Sequence, residues 1–483
     1  MKSKLLKGYE PAAFFKWFEA LCAIPHGSRN EKEITDFLVN FAEERSFPYY
    51  RDEMHNLLVR VPATKGYEDQ PALLLQAHTD MVCKCDEGVE IDFETQPVTL
   101  EIVGNMLKGK GTTLGADDLT GVAFMLAMAE GKDIPHPPLE LLFTAQEEIG
   151  LLGIRAFDKG QITAKRMINF DSGYSHTMCV CSAGASKLEI TRRFPVQPAE
   201  GMTHLRLDLS GGRGGHAGIK IHVGRACMAN LTGELLHELG KRMPVQVSSL
   251  GTAGASAILG KFFAEFAVPA GKEAEATDFL KKYWNHVFCR FEESDPDIQL
   301  EVSPLAASPN VLSLSDTKCA VDLLYLIHTG ALKHHGENPN IIIASSSIRS
   351  ATLENGEYVF RFSVLSCDDT VRELLVGRYE EIINLLGYEL TVQDAYSGWR
   401  LQRESPLQDS VARNHLELFG KEIDVEYVHG GIEVGIIKGA IPELDAVGIS
   451  PTSTNAHTTS EVLHLEEVQP FWDLMLRVIA EKQ

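Results

Sequence analysis

Four apolar runs of strand length in this chain each lead into a residue that can bind a metal ion. Residues 72–77 run into His78-Thr79-Asp80, and residues 139–143 lead through Thr144-Ala145 to Glu147-Glu148. Residues 167–170 run into Asp171, and residues 444–449 lead through residues 450–456 to His457. A fifth such position lies in Gly115-Ala116-Asp117-Asp118, a loop feeding an expected helix over residues 119–129. Short, continuously apolar runs fit central strands of a sheet covered on both faces. Ligands of open α/β sheets collect outside the carboxyl ends of such strands, so these loops are expected to converge.

Singly, each feature has a plainer explanation. A His-x-Asp after a strand is commonly a capped turn, a Glu-Glu pair is a solvated face, and Asp117-Asp118 serves equally as a helix cap. Jointly they mean more. Apolar strands that repeatedly end in His, Asp or Glu are poor for stability, because converging carboxylates repel unless cations neutralise them. Zinc accepts this mixture of imidazole nitrogen and carboxylate oxygen.

Composition narrows the surroundings of such a site. A chain of 483 residues exceeds what one hydrophobic core supports, so two or more domains are expected. Hydrophobic residues at 44% and charged residues at 23% are ordinary for a globular protein. The net charge of -22 argues against a nucleic-acid or anionic-membrane partner. No apolar run approaches the roughly 20 residues that span a bilayer. Tyr9-Glu10-Pro11 and Lys16 interrupt the apolar core a signal peptide needs. Nine scattered cysteines form no disulfide pattern. Cys83-Lys84-Cys85 and Cys179-Val180-Cys181 depart from zinc-site spacing and read as reduced thiols. A reducing cytoplasm is the expected location.

The first 180 or so residues alternate apolar and amphipathic stretches in α/β fashion, with Ser28-Arg29-Asn30-Glu31 reading as a capping box for a helix reaching about Phe41. The character changes near Ala183. Residues 203–209 alternate as a strand with one wet face, residues 358–364 read as another strand, and residues 225–239 and 371–386 read as covering helices. This strand–helix pattern occurs twice, which suggests a duplicated module. The α/β character returns from about Gly398, with a last helix over residues 468–480. The expected architecture is an α/β domain of residues 1–187 and 396–483, with an α+β domain inserted over residues 188–395.

At this point a family likeness emerges. Ala77-His78-Thr79-Asp80-Met81-Val82, Gly111-Thr112-Thr113-Leu114-Gly115-Ala116-Asp117-Asp118, Glu147-Glu148-Ile149-Gly150 and Asn169-Phe170-Asp171-Ser172 resemble the M20 metallopeptidases. The likeness is strongest to the Xaa-His dipeptidase branch, also described as aminoacyl-histidine or cytosol non-specific dipeptidases. It extends from Ile24-Pro25-His26 to His457-Thr458-Thr459-Ser460-Glu461. It implies a catalytic domain of the zinc-exopeptidase type with an inserted lid, and a hydrolase that cleaves the amide bond of dipeptides. Two divalent ions are implied, zinc first, with manganese or cobalt suited to the same donors.

In this resemblance Asp117 bridges the ions, His78 and Asp171 complete one site, and Glu148 and His457 complete the other. Asp80 would hydrogen-bond His78 and fix its tautomer. Glu147 would be the general base, taking a proton from a water whose pKa the ions lower from about 15.7 toward about 7, then passing it to the leaving amine. The bond between Asp117 and Asp118 would be cis, as it often is in the family. Ser210-Gly211-Gly212-Arg213-Gly214-Gly215-His216-Ala217-Gly218 resembles the lid motif whose histidine donates to the carbonyl oxygen, a role that falls to His216. The family leaves open whether His216 acts within its own chain or across a homodimer formed through the lid. His429-Gly430-Gly431-Ile432-Glu433 resembles the segment lining the substrate end, with Gly430, Gly431 and Glu433 as substrate-binding candidates.

Three lid positions depart from the dipeptidase pattern. Ser256 and Ile348 stand where relatives have asparagine, and Leu365 stands where they have the arginine of a carboxylate clamp. Arg349 is a candidate replacement for that charge. These departures raise a second reading, an amidohydrolase of N-acyl amino acids or other aminoacyl conjugates. A third, a metal- or partner-binding protein without activity, is disfavoured by the retained Asp80, Glu147 and His216.

Overall fold

The computed structural model describes residues 5–131, 133–252, 258–306 and 309–482, with residue 219 by its backbone alone. The chain divides into two compact units. Unit 1 comprises Met1–Ser182, Trp399–Tyr427 and Gly431–Gln483, and unit 2 comprises Ala183–Gly398 with Val428–Gly430.

Unit 1 is built on an eight-stranded mixed sheet. Its strands are β1 (Tyr49–Arg51), β2 (Leu57–Val61), β3 (Leu73–His78), β4 (Leu139–Thr144), β5 (Arg166–Asn169), β6 (Thr177–Ser182), β7 (Asp424–Val428) and β8 (Asp445–Gly448). Their order is β1-β2-β4-β3-β5-β8-β6-β7. The central four, β4, β3, β5 and β8, run parallel, while β2 and β6 flank them antiparallel. Every residue of β3, β4 and β5 is buried, as expected for parallel strands covered on both faces.

The helix Ala116–Glu130 is buried on almost every side. Its Phe124 packs against Phe170, Phe471 and Trp472 at ring-centroid distances of 5.0, 5.5 and 5.3 Å, joining the sheet to the last helix, Leu465–Ala480. A small four-stranded sheet orders Ser453–Thr454, Val462–His464, Met106–Gly109 and Leu100–Val103 side by side.

Unit 2 carries a nine-stranded sheet whose connectivity contains one motif twice. The strands Met202–Ser210, Gln246–Gly251, Phe262–Pro269 and Gln299–Pro304 alternate with helices Met228–Gly240 and Glu273–Phe288 in the order βαββαβ. The strands Gly184–Arg193, Ile342–Glu354, Glu357–Ser366 and Leu390–Tyr396 do the same with helices Leu314–Leu326 and Asp369–Leu385. In each half the fourth strand lies at one end and the second at the other, and the halves meet where the two second strands pair, Leu250 opposite Leu353. The first half is threaded between the first strand and first helix of the second. The duplication read from the sequence is therefore present in the topology.

Some local expectations shift. The capping box does not form: the helix starts at Lys32, Ser28 Oγ donates to Asp80 Oδ2 at 2.7 Å, and Glu31 Oε1 accepts from Arg29 N and Gln146 N. Those side chains serve the strand-end loops instead, where buried groups otherwise lack partners. Among the described residues, no helix is long and apolar enough to cross a membrane.

Candidate active site

The parallel strands open their carboxyl ends on one edge of the unit 1 sheet. His78 closes β3, Glu147 and Glu148 follow β4, and Asp171 follows β5. Asp117 sits at the start of the Ala116–Glu130 helix. His457 lies in the loop between the paired strands Ser453–Thr454 and Val462–His464, and the latter also pairs with Met106–Gly109, the strand leading to Asp117.

His78, Asp117 and Glu148 each offer a ligand atom, all within 4.8 Å of one another. Asp117 stands between two imidazoles. Its Oδ1 lies 3.0 Å from His78 Nε2, and its Oδ2 lies 3.2 Å from His457 Nε2. The same His457 nitrogen lies 2.8 Å from Glu148 Oε1. Asp171 is outside this tightest group, yet it is near enough for Asp117 and Glu147 to add to the effect of burial in raising its carboxyl well above the usual range.

Charge is unevenly distributed here. Burial, then Glu433, Glu148 and Asp117, raise Glu147 well above an ordinary carboxylate. Asp117 is pushed down, because hydrogen bonds from His457 and His78 outweigh its burial. Asp117 and Glu148 hold the His457 imidazole up to about 10. Burial works against a charged His78, but Asp117 and Asp80 together raise it well above its usual value. Carboxylates that raise one another and imidazoles that hold protons describe a site arranged for added positive charge.

Several sequence expectations are refined. Asp80 Oδ1 lies 3.6 Å from His78 Nδ1, beyond hydrogen-bond reach. His78 Nδ1–H donates instead to the Asp80 carbonyl at 3.0 Å, which leaves Nε2 facing Asp117. The Asp80 carboxylate accepts from the backbone N–H groups of Glu147 and Glu148. Asp117 and Asp118 part company: Asp118 is buried and its oxygens accept from His78 N and Gly121 N, both at 3.3 Å. The peptide bond between them is cis.

Glu433, a substrate-binding candidate in the sequence, lies inside the fold. It has no exposed surface, and its Oε2 accepts from Gln76 Nε2 and from Thr144 Oγ1, so it braces β3 and β4 from within. Burial pushes its carboxyl up to about 7. Sequence reading missed Gln76, although a glutamine inside an otherwise apolar run was the available signal. Gly430 and Gly431 are partly exposed, and the Gly430 carbonyl accepts from Ala183 N.

In unit 2, His216 is exposed at the start of the short helix Ala217–Lys220. Its loop is anchored by Asp295, whose buried carboxylate accepts from Arg213 N and Ala226 N. Gly211 (φ 82°) lets that loop pass close to its neighbour, since a Cβ there would sit 2.1 Å from the Asp297 carbonyl oxygen. Of the departures, Ile348 is fully buried in the core, Leu365 packs with Ala183 and Ala185, and Ser256 lies outside the described residues. Arg349 is exposed where the pairing of Ile342–Glu354 with Glu357–Ser366 is interrupted.

The donors fit divalent ions. Glu148 Oε1 is buried and close to His457 yet receives no aligned hydrogen bond, an arrangement suited to a shared cation rather than to a proton. The family model for Peptidase family M20/M25/M40 matches residues 74–481. The chain belongs to this family.

Within it, the chain is 29% identical to the cytosol non-specific dipeptidase of Escherichia coli (strain K12), with 99% of each chain covered. The crystal structure of aminoacylhistidine dipeptidase from Vibrio alginolyticus superposes with a TM-score of 0.93 at 26% identity, covering 100% of this chain and 99% of that one. A tripeptidase from Staphylococcus aureus shares the fold at a TM-score of 0.56 and 14% identity, covering 98% of each chain.

Proposed function

We propose that this M20 metallopeptidase is a dipeptidase, hydrolysing short unblocked dipeptides, Xaa-His among them, with two divalent ions. The observation that carries the reading is Asp117, whose two oxygens face His78 on one side and His457 on the other. The full-length likeness to two dipeptidases supports the substrate class. His78 and Asp171 would hold one ion, Glu148 and His457 the other, and Asp117 both. Zinc suits these donors best, and manganese or cobalt suits them as well. Bound ions supply Lewis-acid activation of water at neutral pH.

The chain's own residues do the rest. Glu147 adjoins Glu148, and among the described residues nothing hydrogen-bonds its carboxylate. Burial and the neighbouring negative charges raise its proton affinity, so it can take a proton from the attacking water and give it to the leaving amine. Asp80 holds the Glu147 and Glu148 amides while its carbonyl fixes the His78 tautomer. His216 is the proposed donor to the carbonyl oxygen, from the same chain or from a second copy in a homodimer. Backbone N–H groups of Gly430 and Gly431 are proposed to meet the substrate carboxylate. The cytoplasm is the proposed location, in line with the relative described as cytosolic.

One observation favours a second reading. Leu365 sits in an apolar cluster and Ile348 in the core, so neither offers the charge or amide that grips a free carboxylate. An amidohydrolase of aminoacyl conjugates that carry no free carboxylate would tolerate that loss. Incubating metal-loaded protein with panels of dipeptides, N-acyl amino acids and carboxylate-blocked aminoacyl conjugates separates the readings. Turnover of dipeptides is expected; turnover of N-acyl amino acids alone would reject the dipeptidase reading.

A further inference from the structure

Glu461 lies four residues beyond His457 and makes contacts that no ligand role explains. It is 2% exposed, and backbone N–H groups engage both of its oxygens. Oε2 accepts from Leu114 N at 2.8 Å and Gly115 N at 3.1 Å, and Oε1 accepts from Ala116 N at 2.8 Å and Asp117 N at 3.4 Å. These donors belong to the start of the Ala116–Glu130 helix and the turn before it. Asp117 and Asp118 have non-helical dihedrals, so these amides belong to a turn ahead of the regular helix, where buried N–H groups need an acceptor from elsewhere.

No side chain of this turn caps these amides: Gly115 is left-handed (φ 76°), and Asp118, which caps the regular helix that follows, reaches Gly121 N instead. A Cβ at that glycine would stand 2.9 Å from His26 Nε2, so the backbone there has no room for a local cap. The acceptor comes instead from a residue more than 340 positions along the chain. Burial raises the Glu461 carboxyl, and the backbone N–H groups it accepts oppose that rise.

Pairing of Val462–His464 with Met106–Gly109 already joins the two chain segments, so the carboxylate is not required merely to bring them together. What it adds is a fixed placement of the backbone that carries Asp117, measured from the loop that carries His457. We infer that Glu461 is a positioning residue of the metal centre, clasping the Leu114–Asp117 backbone so that Asp117 Oδ2 and His457 Nε2 share one ion. This inference rests on the two-ion reading above.

The test compares wild type, Glu461→Gln and His457→Ala. Metal-free proteins are titrated with zinc by calorimetry, their melting temperatures are recorded, and kcat and KM are measured on a dipeptide. Wild type should bind two ions, and His457→Ala should identify which of the two it loses. Glu461→Gln should bind that same ion at least about 10-fold more weakly and the other nearly normally, with kcat down about 10- to 100-fold. KM should stay within about 2-fold, and excess zinc should restore part of the rate.

Wild-type affinity for both ions in Glu461→Gln would overturn the inference. Equal weakening of both, alongside a lower metal-free melting temperature, would do so too, since it marks general support of the fold. Fewer than two ions in wild type would instead reject the two-ion reading, and this inference with it. Where Glu461→Gln does not fold, Glu461→Asp keeps the charge on a shorter arm, and the same unequal loss is expected.

Discussion

Asp117 and Asp118 are adjacent, identical in chemistry and divided by the fold. Asp117 faces two imidazoles, whereas Asp118 turns inward to the amides of His78 and Gly121. Asp118→Asn should therefore leave metal stoichiometry intact and cost about 1 kcal/mol of stability through the weakened cap, read from denaturation midpoints. Glu147→Gln should keep both ions while lowering kcat about 10²- to 10⁴-fold. Metal analysis beside steady-state kinetics checks this, and full activity in that variant would remove Glu147 as the base. Residue type alone presented Asp117-Asp118 as ligand or cap, and only the family resemblance assigned the bridging role to Asp117. The choice depends on backbone dihedrals at the helix start, which residue type does not encode. Nor did residue type show that the Glu433 carboxylate accepts from Gln76 and Thr144 inside the fold.

At the scale of elements, the Ala116–Glu130 helix must lie close on β3 for Asp117 to reach His78. Gly121 permits that approach. A Cβ there would meet Phe170 Cβ at 2.5 Å, Asp118 Oδ1 at 2.7 Å and Ala77 Cβ at 2.8 Å. Gly121→Ala should destabilise the protein by about 1–3 kcal/mol through overpacking and lower activity by displacing the helix start. Wild-type stability and rate in this variant would show that the helix has slack. Strand existence was legible because a wholly buried parallel strand is a run of apolar residues. The failed capping box at Ser28 was not, because a tertiary partner, Asp80, outcompeted the local bond.

Across the whole molecule, stability should depend on both metal and pH. Stripping divalent ions with a chelator should lower the melting temperature, since each ion held at 1,000 times its dissociation constant contributes about 4 kcal/mol. In unit 2, His429 is buried with Nε2 2.7 Å from Ser345 Oγ, and burial pushes its pKa down to about 4. A histidine lowered on folding is favoured in its neutral form. Its contribution is complete above about pH 6.5 and is lost as pH falls toward 4, up to about 3 kcal/mol. Metal-free protein should lose stability over that window, and His429→Gln should flatten the slope. An unchanged slope would assign the acid sensitivity to other groups.

The order of apolar runs and their terminal His, Asp and Glu residues pointed to an α/β unit with a metal site at its strand ends, and the family resemblance supplied the hydrolytic chemistry. Burial patterns and ligand chemistry are local, and a chain writes them locally. The twofold motif of unit 2 was visible as a repeated strand–helix rhythm, but not the pairing of Leu250 with Leu353 that joins its halves. Nor could the chain order alone show that the Glu461 carboxylate reaches the backbone N–H groups before Asp117. Contacts between residues hundreds of positions apart depend on how elements pack, and packing is a property of the whole fold.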